Sequence, residues 1–511
     1  MKYYLGLDNG GTTTKAALFD IEGKQICVVS NETRTISEKP GFVERDLNEI
    51  KETVYSTIRT LLEKTSVKVE DISGIGICGH GKGLYLVDEN GDPVRNGILS
   101  TDNRAYRYTN QWAQDGTEEK VMKISCQHIM PFQPVALLAW LKDNEYDSYK
   151  RIHYIFECKD YVRFILTGQA NAEITDYSGA NLLNLYTKDY DVELLKLFGI
   201  DDLKDALPPL CGSLDIVAGI NSETAKQTGL LEGTPVIGGM FDIDACALGV
   251  GVIDENKLCM IAGTWSINEY IRKQPVTDGR VKMNSLFCLD DYYLVEESSP
   301  TSAGNHAWFV KQLLPEASAE ARKNGVSIYD QMNADVEEVS PYEFVPVFLP
   351  FTMASNVHPN AKGSFVGISV SHQRKHLERS VYEGIAFCHR YHFEKLMNTR
   401  DSDIECIRLA GGATKSKVWT QMFADVMGYP IETIGEDETG ALGCAIAVAA
   451  SAKDYPSLEE AVMHMAKPSG RFEPNKDLKE IYDQKYDLYL KTIDALDQLW
   501  DPMQDLIEHS I

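Results

Sequence analysis

The chain has 511 residues, with 50 basic against 76 acidic side chains and a formal net charge of −26. Its 43% hydrophobic and 25% charged content is that of a globular protein of about two to four domains, which excludes disordered, collagen-like and coiled-coil chains. So acidic a chain projects no global field toward a phosphate backbone or an anionic membrane, and neither nucleic acid nor membrane is expected as a partner.

The 11 cysteines include no pair at the C-x₂-C spacing of a zinc framework and are odd in number, so they read as small buried hydrophobes in a reducing compartment. The start, MKYYLGLDNGG, lacks the apolar run of a signal peptide, and a cytoplasmic protein is expected.

In chain order, Tyr3–Asp8 reads as a strand ending in Asn-Gly-Gly, Thr12–Phe19 as a second strand, Asp20–Gly23 as a turn and Gln25–Thr33 as a third strand. A helix follows: Asp46 and Glu49 form a capping-box pair, and Leu47, Ile50, Val54, Ile58 and Leu61 recur at helical spacing. Ile72–Cys78 is a short apolar strand before a glycine-rich turn, and Val94–Leu99 is another strand. Residues 130–245 read as mostly helical, with Asp160–Leu166 and Val192–Phe198 the clearest pieces. Pro235–Gly251 passes from strand to helix, and Leu258–Ser266 is a strand that breaks at Gly263-Thr264. Further on, His376–Met397 predicts a long helix, Ile404–Ala410 a strand, Lys417–Val426 a helix closed by Gly428, Gly440–Ala450 a small-residue helix and Leu478–Leu499 an amphipathic one. Strands alternating with helices predict an α/β layer architecture, and each half opens with a strand and a Gly/Thr turn.

Asp8-Asn9-Gly10-Gly11-Thr12-Thr13-Thr14-Lys15 is the most informative segment. Its glycines let backbone N–H groups close on a phosphate, its hydroxyls can donate to phosphate oxygens, Asp8 can hold hydrated Mg²⁺ and Lys15 can neutralise charge. A polar β-hairpin turn is the competing reading. Asp242 sits where a glycine-flanked strand meets a helix, placed either to accept a hydroxyl proton or merely to complement the helix dipole, and Asp244 competes for the role. Gly76–Lys82 fits the P-loop spacing, but Gly83 replaces the hydroxyl and a strand follows where a P-loop needs a helix, so His80 and Lys82 read as facing a polar small molecule. Asp102 and Arg104 pair an acceptor with a donor suited to sugar hydroxyls, or else form a salt bridge. His372/His376 and His389/His392 have metal-compatible spacing without completing ligands, and read with Trp419, Met422 and Phe423 as packing residues.

Together these pieces resemble the FGGY carbohydrate kinases. The most specific match is Gly363-Ser-Phe-Val-Gly367-Ile368 followed by His376-Leu377-Glu-Arg-Ser380-Val381-Tyr382-Glu383; Phe132–Leu141 resembles the upstream signature, with Leu137 where lysine is usual. The resemblance implies two actin-like (ribonuclease H-like) ATPase domains around a central cleft: a sugar-binding domain at 1–250, and an adenine nucleotide-binding domain with a helical tail at 251–511. It implies ATP and Mg²⁺ as cofactors and Asp242 as the catalytic base. Asp8, Gly10, Gly11, Thr12, Thr13, Thr14 and Lys15 would form the first phosphate motif, with Asp8 also at the metal, and Gly263 and Thr264 the second. Gly411, Gly412 and Ala413 would form the adenosine motif, and His80, Lys82, Asp102, Arg104 and Asp242 the sugar site. Gly11 stands where many relatives have threonine, and Trp265 where serine is common. The wording around 79–91, 98–105 and 299–305 is most similar to the branch that phosphorylates L-xylulose. The implied substrate is a ketopentose such as L-xylulose, with a polyol (erythritol, glycerol) or D-xylulose as the alternative. A homodimer is the implied assembly.

Overall fold

The structure is a computed structural model that describes residues 1–355 and 357–509. The chain folds into two compact units. The first comprises Met1–Asp254, Ile271–Val295 and Glu438–Lys467; the second comprises Glu255–Tyr270, Glu296–Asp437 and Pro468–Ile511. The chain thus leaves the first unit near residue 254 and returns to it twice.

The first unit is built on a seven-stranded sheet. Tyr3–Asn9 lies at its centre, antiparallel to Thr13–Asp20, which is antiparallel to Gln25–Glu32. On its other side Tyr3–Asn9 runs parallel to Ile72–Gly79, which is parallel in turn to Pro235–Ile237 and to Met240–Phe241. Ile216–Gly219 closes that edge. Two antiparallel pairings followed by parallel ones give the ribonuclease H-like order. The helix Leu47–Lys64 starts as its sequence predicts: Asp46 accepts from the N–H groups of Asn48 and Glu49, and its apolar stripe is buried. The small-residue helix Thr439–Ser451 lies directly on the sheet, close enough that a side chain at Gly6 would collide with the Ala441 carbonyl.

The second unit repeats the plan. Lys257–Ala262 is antiparallel to Ser266–Arg272 and parallel to Cys406–Ala410, which is parallel to Ile431–Ile434; Pro468–Phe472 is antiparallel to the last. The long helix Arg374–Met397 and the helix Lys417–Met427, ended by Gly428 in the left-handed region, fall where their apolar spacing places them. His389 and His392 on the long helix are buried and bonded to Ser302, Asn268 and Ser299, and Trp419, Met422 and Phe423 are core.

The structure corrects the sequence reading in places. Residues 130–245 are not mostly helical: Tyr154–Phe156 and Ile216–Gly219 are strands, while Pro235–Ile237 and Met240–Phe241 supply the strand expected before the helix Asp242–Gly249. Short apolar runs carry no period that separates a strand from a buried helical turn, and the partner strand decides. The strand expected at Val94–Leu99 shrinks to Gly97–Ile98. After the glycine turn at 79–83 comes the strand Tyr85–Val87, which is incompatible with a P-loop. Among the described residues no helix is long and apolar enough to cross a membrane.

Candidate active site

Strand register brings the first unit's polar residues together. Asp8 pairs with Cys78 and Asn9 with Gly79 across one parallel ladder, and Phe241 pairs with Gly79 across the next. Asp8, His80 and Asp242 therefore stand at the carboxyl ends of three neighbouring parallel strands, the edge where open α/β sheets bind ligands.

The turn after Asp8 closes on itself, with the Gly10 N–H donating to the Thr13 carbonyl at 3.0 Å. The fully buried Arg45 donates to the Gly10 carbonyl at 3.1 Å and to that of Gly11. With those carbonyls held from below, Gly11 and Thr12 are exposed and Thr13 is half-buried. Thr14 is buried and its hydroxyl donates to Asn9 Oδ1 at 3.1 Å, so this hydroxyl serves the turn itself. Lys15 Nζ lies 2.6 Å from Glu438 Oε2. Burial works against the Lys15 charge, but Glu438 and Asp8 hold its ammonium above the ordinary lysine range. Desolvation pushes the Asp8 carboxyl up to about 6 despite the pull of Lys15. Among the described residues no group of three or more His, Cys, Asp or Glu is arranged to hold a metal ion. Mg²⁺ commonly takes one or two carboxylates plus phosphate oxygens and water, and Asp8, a desolvated carboxylate beside the glycine turn, fits that donor set.

His80 is buried with Nε2 at 2.7 Å from the Tyr85 hydroxyl; desolvation, followed by Arg45, pushes its imidazole down to about 3, so it is neutral. Lys82 adopts φ 61°, its N–H donates to Glu157 Oε2 at 2.8 Å, and its ammonium lies 4.1 Å from the Phe241 ring centroid. Asp102 and Arg104 face each other: Nε and Nη2 donate to the two Asp102 oxygens at 2.9 and 2.8 Å, and Nη2 also meets Glu44 at 2.7 Å. The guanidinium is covered by Phe42 at 4.2 Å and Trp140 at 5.1 Å.

Asp242 opens the helix Asp242–Gly249 and is partly exposed, whereas Asp244 in the same turn is 0% exposed. Burial, with Glu173 and Asp176 nearby, holds the Asp244 carboxyl well above the usual carboxylate range.

In the second unit, Gly263-Thr264 follows Lys257–Ala262, and Gly411-Gly412-Ala413 follows Cys406–Ala410. Ile261 pairs with Ala410, so the two turns leave adjacent parallel strands side by side. Gly411 has φ 88° and a Cβ there would lie 2.7 Å from the Ala262 carbonyl, so only glycine lets the turns approach this closely. Ser416 caps the next helix by accepting from the Trp419 N–H at 3.1 Å, and its hydroxyl donates to Asn333 at 2.7 Å.

Sequence reasoning missed Arg45, Glu438, Lys159, Glu173 and Thr175. None carries a local signal: Arg45 stands before a helix cap, and the rest look like ordinary helix or loop polar residues until burial shows what they touch.

Two ribonuclease H-like units in one chain, each with glycine turns at the ends of its strands, define the actin-like fold of a phosphotransferase. The family profile for the N-terminal domain of the FGGY family of carbohydrate kinases matches residues 3–249, and that for the C-terminal domain matches residues 258–452. The chain belongs to this family and is a carbohydrate kinase. It is 36% identical over 497 residues, 97% of each chain, to an L-xylulose/3-keto-L-gulonate kinase of Escherichia coli K12. It is 36% identical over 507 residues, 98% of this chain and all of the other, to a probable L-xylulose kinase of Haemophilus influenzae. Among solved structures it is similar to ligand-bound xylulose kinase from Lactobacillus acidophilus, with TM-score 0.87 and 25% identity over 98% of this chain and 100% of the other.

Proposed function

We propose that this kinase transfers the γ-phosphoryl group of ATP to a hydroxyl of a ketopentose such as L-xylulose, with Asp242 as the base. One observation carries the mechanism: Asp8, His80 and Asp242 stand at three neighbouring strand ends, so a phosphate-holding turn and a partly exposed carboxylate share one edge of the sheet. The sugar class rests on the two relatives at 36% identity, whose names carry L-xylulose.

In this reading the N–H groups of Gly11–Thr13 and the hydroxyls of Thr12 and Thr13 hold phosphate oxygens, Lys15 neutralises charge and Asp242 takes the proton of the attacking hydroxyl. His80, Lys82, Asp102 and Arg104 form the sugar's surroundings, and Gly263-Thr264 and Gly411–Ala413 hold the nucleotide on the second unit. Mg²⁺, held by Asp8 and the phosphates, supplies electrostatic neutralisation of the phosphoryl group when bound. Most of the rate enhancement comes from positioning. A homodimer is the assembly proposed, and sedimentation velocity tests it.

The experiment is ADP release with Mg·ATP across L-xylulose, D-xylulose, L-ribulose, D-ribulose, glycerol and erythritol. The highest kcat/KM on L-xylulose supports the reading. A preference for another sugar or polyol overturns the substrate and leaves the kinase.

A further inference from the structure

We propose that Thr175 is a positioning residue for phosphoryl transfer: its hydroxyl passes the fixed charge of a buried Lys159–Glu173 pair to the backbone N–H of Phe241, and so sets how Asp242 leaves the sheet. The inference rests on the reading of Asp242 as the base.

The chain of contacts is continuous and buried. Lys159 is fully buried, with its ammonium 2.8 Å from Asp160, 3.2 Å from Asp176 and 3.3 Å from Glu173 Oε2. Glu173, also fully buried, accepts from the Ser213 hydroxyl at 2.7 Å, from the Thr175 N–H at 3.1 Å and, through Oε2, from the Thr175 hydroxyl at 2.7 Å. A hydroxyl has one proton to give. With that proton committed to a charged acceptor, the Thr175 oxygen turns its lone pairs toward Phe241, whose N–H donates to it at 2.9 Å.

Phe241 is the N-cap residue of the helix that Asp242 opens, so a shift of its peptide carries directly into the backbone of Asp242. The same segment is held at its other end. Arg163, paired with Asp160 at 2.6 Å, donates to the Gly238 carbonyl. The segment 238–241 is thereby fixed at both ends by one buried charge cluster.

The test is kcat and sugar KM, thermal unfolding and amide hydrogen exchange at Phe241 in Thr175→Val and Thr175→Ser, with Asp242→Asn assayed in parallel. Valine keeps the shape and removes the hydroxyl, while serine keeps the hydroxyl. Thr175→Val is expected to lower kcat by about 10- to 100-fold, the scale of a small misplacement of a reacting group, with sugar KM within about twofold. Exchange at Phe241 should rise, and Thr175→Ser should return both readouts toward the parent. A Thr175→Val enzyme with the parent kcat, or a loss that serine does not rescue, overturns the proposal. If Asp242→Asn keeps its turnover, the base assignment and the positioning role built on it both fail. If Asp242→Asn is inactive while Thr175→Val is not, only the positioning proposal fails. Should Thr175→Val not fold, Glu173→Gln removes the orienting charge and leaves Thr175 in place; the same kcat-selective loss supports the proposal and an unchanged kcat overturns it.

Discussion

Asp242 and Asp244 stand two residues apart in the first turn of one helix, yet Asp242 reaches solvent while Asp244 is sealed, with neither carboxylate oxygen hydrogen-bonded among the described residues. Burial, reinforced by Glu173 and Asp176, holds the Asp244 carboxyl well above the usual carboxylate range. A carboxyl sealed from solvent offers no lone pair to a bound hydroxyl, so in the proposed mechanism Asp242 is the reactive member of the pair and Asp244 packs.

Exchanging each aspartate for asparagine separates the roles. Asp242→Asn is expected to fold, bind sugar and lose about 10²- to 10⁴-fold in kcat, the usual share of a general base. Asp244→Asn keeps the shape of a side chain that is sealed from solvent, and its kcat should stay within about threefold of the parent. Steady-state kinetics with a sugar-binding titration checks both, and comparable losses in the two variants would sink the division of roles.

Asp8 predicts a pH dependence. Its folded-state value of about 6 lies above the ordinary 3.8, so the folded protein binds this proton more tightly than the unfolded chain. The stability this group contributes is therefore full below the ordinary carboxylate range, declines as pH rises through about 6, and is lost above it. In the absence of divalent cation, Asp8→Asn should raise Tm at pH 8 and leave it nearly unchanged at pH 4. In the parent enzyme, KM for Mg·ATP should climb as pH falls below 6, where the carboxylate is protonated. A Tm difference independent of pH would contradict the assignment.

The Asp102–Arg104 pair predicts a stability effect where sugar contact alone would predict an affinity effect. Arg104→Met leaves Asp102, itself 0% exposed, and Glu44 without their shared cation. Breaking a buried pair from one side costs about 3–5 kcal/mol, so the urea midpoint should drop. Arg104→Lys keeps the charge but not the two-pronged geometry and should recover only part of the loss. A raised sugar KM with unchanged unfolding would show that the pair serves the ligand and not the fold.

The two glycines of the second unit's turn should respond differently to alanine. At Gly411 a methyl group meets the Ala262 carbonyl in a left-handed backbone, whereas at Gly412 nothing lies within 4 Å. Gly411→Ala should lower both Tm and ADP affinity, and Gly412→Ala should leave Tm within about a degree of the parent. Thermal unfolding with and without ADP reads both effects, and equal sensitivity at the two positions would contradict the packing of the turns.

Much of the architecture was legible in the residues themselves. The apolar stripe of Leu47–Lys64, its Asp46 cap and the glycine stop after Lys417–Met427 depend on neighbours three or four positions away. The glycine turns at 10–11, 263 and 411–412 are likewise contiguous in the sequence, although of these only Gly411 has a left-handed backbone that requires glycine. The FGGY signature at 363–383 and the kinase class are legible for the same reason: they are contiguous text.

By itself, then, the sequence determined the strongly patterned helices, the turns and the family, because these arise from interactions over a few residues, whereas short strands such as Tyr154–Phe156 depended on their partners. Only the tertiary structure decided which polar groups act together. Parallel register sets Asp8, His80 and Asp242 side by side, burial separates Asp242 from Asp244, and Arg45, Glu438, Lys159 and Thr175 acquire roles from what they touch across long stretches of chain. The charge, hydrogen bonding and reach of a side chain depend on how much water and which partners surround it, and packing alone sets both.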